Sequence, residues 1–133
     1  MKIVLDTNVL IAALVADGLC RDLVRRRVRA HELCTSDALL RELAATLRRK
    51  FKVTATEIPW LAEYRARATL VEPAIMDSPV CRDRDDDTVL ATAIAAQARV
   101  IVTGDDDLLV LKSHQGIAIL TPRQFLEHLD GLE

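Results

Sequence analysis

Four acidic residues, Asp6, Glu42, Asp87 and Asp105, fall where a parallel α/β fold would present them to a ligand. Asp6 follows the apolar run Ile3-Val4-Leu5, and Asp105 follows Val100-Ile101-Val102 across the turn Thr103-Gly104. Uninterrupted apolar runs of this kind predict strands buried on both faces. Ligands bind just beyond the carboxyl ends of such strands. Asp87 lies at the start of a helix of small and apolar residues and aligns with Ala91, Ile94 and Ala98, which predicts a side chain that starts on the buried face. Glu42 lies at the border of an earlier helix's apolar face, near Leu39. Carboxylates brought together cannot all stay ionised unless a positive charge sits among them. The set contains no His or Cys, and oxygen ligands suit Mg²⁺ or Mn²⁺, not zinc. The matching chemistry is metal-assisted phosphodiester hydrolysis, in which a water is activated and the leaving oxygen stabilised. A plainer role competes at Asp6 and Asp105, since either could simply cap a helix. Acids in a first turn also suit the helix dipole, but Asp83, Asp85, Asp86 and Asp87 exceed what capping requires.

The elements that must position these groups alternate strand with helix. A helix over 9–15 follows Asp6, with Thr7 or Asn8 as cap, and Asp17-Gly18 makes a turn. A second helix is predicted over 19–30. A short strand over 33–35 leads to a helix capped by Ser36 or Asp37 and running to about Lys50. Residues 51–56 form a polar break with weak strand character. A helix over 57–68 has Pro59 in its first turn, and Leu70-Val71 is a minimal strand before a loop over 72–79. The helix from about Asp86 to Ala98, the strand over 100–102, a last strand over 117–120 and a helix from Pro122 to about Leu129 complete the pattern. Strand–helix alternation predicts one domain over 1–133, of the α/β class, with a central parallel sheet covered by helices on both faces.

Composition narrows the function. The 133 residues suit one core, and with two Phe, one Tyr and one Trp that core is aliphatic. Net charge is −2, so the distribution matters more than the sum. Ten of the eighteen Lys and Arg residues lie between Arg21 and Lys52. Arg21, Arg25 and Arg29 recur at four-residue spacing; they form either a solvated helix face or a contact surface for an RNA backbone, with Arg25 and Arg29 as its candidates. Three scattered cysteines fit neither a metal site nor a complete disulfide set, which predicts reduced thiols and a cytoplasmic location. Asp6 and Asn8 interrupt what would be the apolar region of a signal peptide. No stretch has the roughly 18 uncharged apolar residues of a membrane span. His31, His114 and His128 lack metal spacing, and no Gly-rich phosphate loop is present.

Four segments, Ile3-Val-Leu-Asp-Thr-Asn-Val-Leu10, Ser36-Asp-Ala-Leu-Leu-Arg-Glu42, Asp86-Asp-Thr-Val-Leu-Ala91 and Val102-Thr-Gly-Asp-Asp-Asp-Leu-Leu109, resemble in order and spacing the motifs of the PIN domain. Within that family the chain resembles the short VapC-like ribonuclease toxins of bacterial toxin–antitoxin pairs. The resemblance spans essentially the whole chain. It implies a three-layer α/β/α sandwich of Rossmann-like topology and Mg²⁺- or Mn²⁺-dependent endoribonuclease activity. Catalysis would rest on Asp6, Glu42, Asp87 and Asp105. Metal would be held by Asp6, Asp87, Asp105 and Asp107, with Asn8 and Thr103 as polar support and Asp86 as a substitute for Asp87. A homodimer and inhibition by a cognate antitoxin protein are also implied. The alternative is a catalytically silent PIN-like module that binds RNA or protein through the arginine surface. A phospho-acceptor receiver or an aspartate phosphatase fits poorly, because Asn8 stands where the phosphatase pattern needs a second Asp.

Overall fold

The computed structural model describes residues 1–131. Its centre is a six-stranded sheet of order β3-β2-β1-β4-β6-β5. The strands are β1 (Lys2–Leu5), β2 (Glu32–Thr35), β3 (Thr69–Leu70), β4 (Val100–Val102), β5 (Ser113–His114) and β6 (Ile117–Leu120). Neighbours from β3 through β6 run parallel, whereas β5 pairs antiparallel with β6. The expected all-parallel sheet thus carries an antiparallel edge. Two-residue β5 is too short to show alternation in sequence, and Gly116, at φ 81°, turns the chain back into β6.

Alternation along each strand sends side chains to two helical layers. Ile3, Leu5, Val100 and Val102 face one core, and Val4, Ile101 and Ile119 face the other. The first layer holds α1 (Thr7–Val15), α2 (Leu19–Asp22), α3 (Asp37–Phe51), α4 (Pro59–Arg67) and α7 (Pro122–Gly131). The second holds α5 (Arg84–Ala96) and α6 (Asp106–Leu109), anchored by Val89, Leu90, Ala93 and Leu108. Among the described residues no helix is long and apolar enough to cross a membrane.

Boundaries differ from the sequence reading where local chemistry intervenes. The helix expected over 19–30 is α-helical for one turn, widens to a π turn over Leu23–Arg27 and ends at Val28. The wider turn keeps Leu23, Val24 and Val28 buried but breaks the four-residue arginine stripe. The polar break over 51–56 gives a 3₁₀ turn over Ala55–Glu57, not a strand. Helix α5 begins at Arg84, two residues before the expected start, because Asp83 caps it by accepting from Asp85 N at 2.9 Å.

Candidate metal and nuclease site

Register brings the first two acids together. Val4 pairs with Ile101 and Leu5 with Val102, so Asp6 and Thr103 emerge side by side at the carboxyl edge. Asp6 N donates to Val102 O at 3.0 Å, a last rung of the ladder. The Asp6 carboxylate then does two jobs. Its Oδ1 accepts from Thr7 N at 2.7 Å and so caps α1. Its Oδ2 accepts from the Thr103 hydroxyl at 2.7 Å and from Asn8 Nδ2 at 3.4 Å. Thr103 Oγ1 in turn accepts from Asp105 N at 3.0 Å, and Asn8 Oδ1 accepts from Gly104 N at 3.2 Å. The two threonine and asparagine side chains therefore lock the β1–α1 and β4–α6 turns to each other.

Asp105 caps α6, accepting from Asp107 N at 2.9 Å. Carboxylate oxygens of Asp86, Asp105 and Asp107 lie within 4.8 Å of one another. Asp86 is 5 % exposed, and its Oδ2 has no hydrogen-bond partner among the described residues. Burial, then a proton shared with Asp105 and the charges of Asp105 and Asp6, pushes the Asp86 carboxyl up to about 7. Asp6 is also raised, chiefly by burial and against the pull of Thr103 and Thr7.

Glu42 reaches the same rim from α3. Ser36 caps that helix, its Oγ accepting from Leu39 N at 3.3 Å. A hydrogen bond of 3.0 Å between the buried Ser36 and Thr92 hydroxyls ties α3 to α5. Glu42 is half-buried, and its carboxyl is pushed up to about 7 by that burial and by the charges of Asp85 and Asp6. Asp85 is an exposed member of the acid run that enters the site through its field alone, and only its sequence position beside Asp86 hints at that.

Asp87 does not join this group. Its carboxylate turns to the preceding loop, accepting from Cys81 N at 2.9 Å and from Val80 N at 3.2 and 3.3 Å. Asp86 stands where Asp87 was expected. The faces of α5 explain the difference, since Val89, Leu90 and Ala93 pack on the second core and Asp86 belongs to their stripe. Arg82, next in the loop held by Asp87, donates to Asp107 Oδ1 at 2.7 Å. That contact was not anticipated from sequence.

Of the arginines expected to form one contact surface, Arg21 is drawn away while Arg25 and Arg29 stay together. Arg21 donates to Ala13 O at 2.9 Å and Leu14 O at 3.1 Å, closing the end of α1, and pairs with Asp17. Arg26 pairs with Asp22, and Arg27 with Asp130. Arg25 lies over the Trp60 ring, 5.9 Å from its centroid, and shares a pocket with Arg29.

A comparison with family models finds the PIN domain over residues 2–107. The chain belongs to the PIN domain family. An uncharacterized protein of Methanocaldococcus jannaschii is 27 % identical over 147 residues, covering 98 % of this chain and 92 % of that one. Among solved structures, VapBC2 from Rickettsia felis, bound to a DNA fragment from its promoter, superposes with a TM-score of 0.62 at 16 % identity, over 90 % of this chain and 97 % of that chain. The PIN fold thus rests on sequence and shape together. It places the acidic rim at the carboxyl edge of the sheet, where ligands of such folds bind.

Proposed function

We propose that this PIN domain is a Mg²⁺- or Mn²⁺-dependent endoribonuclease, the cytoplasmic toxin of a toxin–antitoxin pair. The observation that carries the reading is Asp86, a buried carboxylate with an unpartnered oxygen set against Asp105 and Asp107. A buried anion of this kind is costly unless a cation meets it. The donors are all oxygen, which fits a hard divalent ion. Asp86, Asp105 and Asp107 would hold it, with Asp6 alongside. When bound, such an ion activates a water and stabilises the leaving oxygen of a phosphodiester.

The chain's own groups supply orientation and proton transfer. Thr103 and Thr7 N fix the Asp6 carboxylate. Glu42, poised near 7, suits a group that takes a proton from water at neutral pH. Arg82, exposed at the rim, offers a planar fork to a phosphate oxygen. Asp87 acts one step back, holding the loop that carries Arg82. The family resemblance adds an antitoxin protein and a homodimer as partners, and the continuous sheet supports the described residues as one folding unit.

The test is cleavage of single-stranded RNA in Mn²⁺ by the wild type and by Asp6→Asn. Asn caps a helix about as well as Asp, so the variant keeps its fold. We expect cleavage by the wild type and none above background by the variant. Equal rates overturn the assignment. RNA binding in chelator with no cleavage by either protein would favour the silent binding module.

A further inference from the structure

Away from the acidic rim, a cavity of about 240 Å³ is bordered by Arg25, Arg29, Arg67, Trp60 and Glu63. We propose that this cavity is an anchoring site for the phosphate backbone of single-stranded RNA, separate from the site of cleavage. The inference rests on the RNA-cleaving reading for the identity of the polyanion, and on local charge and geometry for the site.

The charge is unbalanced. Arg25, Arg29 and Arg67 make no ion pair among the described residues, while Arg21, Arg26, Arg27, Arg65 and Arg82 do. Glu63 is the one acid bordering the cavity, against three guanidiniums. Three like charges converging on one hollow create a positive potential that an anion relieves. The basic run Arg48, Arg49 and Lys50 differs, because it lies in the last turn of α3 and complements that helix's dipole.

The geometry favours phosphate over base. Trp60 stacks on Tyr64, with centroids 5.6 Å apart and planes at 18°, and also carries the Arg25 guanidinium. The ring is thereby engaged within the chain, and the groups left on offer are the arginine forks. Arg25 is held in place by the ring, so less freedom is lost when it binds. Guanidinium forks match phosphate oxygens in pairs, and such contacts carry no base preference.

Position supplies the reason for a second site. Leu33, near the start of β2, borders the cavity, whereas the acidic rim lies past the carboxyl ends of β1 and β4. Strands rising about 3.3 Å per residue over four residues set the two sheet edges roughly 13 Å apart. A rim of carboxylates repels a polyanion, so on a chain whose net charge is −2 a hold on RNA away from the rim adds to the single guanidinium, Arg82, that borders the acids.

Trp60 is the chain's single tryptophan, so its fluorescence reports on this cavity alone. The experiment titrates metal-free protein, in chelator, with a mixed-sequence single-stranded RNA, with inorganic phosphate and with an acidic peptide, following Trp60 emission and the salt dependence of binding. We expect saturable change with RNA. Each phosphate contact contributes about 0.7 to the log–log salt slope for single strands, so R29Q/R67Q should lower the slope by about 1.4. Arg26→Gln, one residue from Arg25 and paired with Asp22, should leave it unchanged. In cleavage assays the double variant should raise KM several-fold at constant kcat. RNA binding that leaves Trp60 silent, or a slope unmoved in R29Q/R67Q, overturns the proposal. So does a response to phosphate or the acidic peptide without one to RNA. A wild type that fails to cleave, yet shows the Trp60 response and the lowered slope, would sink the nuclease reading and leave this site standing.

Discussion

Replacing Asp86 and Asp87 one at a time by Asn should shift stability in opposite directions. Asp86 is buried beside Asp105 with one oxygen unpartnered, and its carboxyl is raised from 3.8 to about 7. At pH 8 in chelator Asp86 is largely ionised. Three pH units of displacement at about 1.4 kcal/mol each set a ceiling of roughly 4 kcal/mol on the cost of that charge. Asp105 relaxes when its neighbour is neutral, so a gain of about 2–4 kcal/mol is expected for Asp86→Asn. For a chain of this length that is a rise in Tm of about 5–15 °C. Asp87 instead accepts backbone hydrogen bonds from Val80 and Cys81. Asp87→Asn weakens charge-assisted bonds and should cost about 1–2 kcal/mol. Mn²⁺ separates the two further. At a hundred times its Kd, an ion stabilises the folded state by about 2.7 kcal/mol. The wild type and Asp87→Asn should gain this, and Asp86→Asn should gain little. The assay is thermal melting at pH 8, with chelator and with Mn²⁺, alongside RNA cleavage. If Asp87→Asn proves the stabilised variant that ignores Mn²⁺, while Asp86→Asn responds in full, the assignment of the two residues is reversed and the reasoning fails.

Two more predictions follow from the same groups. Glu42 and Asp86 both sit near 7 in the folded chain, above their usual 4.5 and 3.8. The folded state therefore binds more protons than the unfolded one between about pH 4 and 7, so their contribution to metal-free stability is full below that window and is lost as pH rises through it. Chelator melts should show this decline, levelling off above about pH 8; the double variant Glu42→Gln, Asp86→Asn should remove the share of these two groups and leave that of Asp6, and a decline undiminished in the double variant excludes the two as its source. Thr103→Val removes the donor to Asp6 and the acceptor for Asp105 N while keeping shape, which should cost about 2–4 kcal/mol; Thr103→Ser should recover most of it, and a Val variant as stable as wild type would show that the link between the turns is idle.

The strand-end acids were legible in sequence because a buried strand has one possible exit. Asp6 directly follows a run with no polar residue and Asp105 follows another across Thr103-Gly104; register sets Asp6 beside Thr103, whose hydroxyl links the two turns. Glu42 was less legible, since a glutamate on the border of the apolar face of α3 is by itself as ordinary as it is functional, and the resemblance to PIN motifs singled it out. The choice between Asp86 and Asp87 was not legible. Helix α5 is small and apolar on every side, with Val89 through Ala93 all buried, so hydrophobicity fixes no phase. Its start was placed by the acid run, although the cap is Asp83. The arginine stripe was legible only in part. Four-residue spacing presumes an α-helix, and the π turn over Leu23–Arg27 interrupts it: Arg21 closes α1, whereas Arg25 and Arg29 border one cavity.

Capping and metal chemistry, posed as rivals for Asp6 and Asp105, turn out to be compatible. A carboxylate has two oxygens. Asp6 spends one on Thr7 N and turns the other toward Thr103 and the rim, and Asp105 caps α6 while lying within the acidic group. The cap hydrogen bonds also ease the desolvation of both carboxylates, which is why groups at helix starts can be buried there at modest cost. Asp86 has no such second role. It caps nothing, its Oδ2 meets no donor, and it is nonetheless 5 % exposed. A residue that weakens the scaffold at neutral pH and supports no element fits the proposed cation site, as in sites that trade stability for function. Asp86 is therefore the residue on which the site's meaning turns, although Asp6 and Asp105 were the ones its sequence announced.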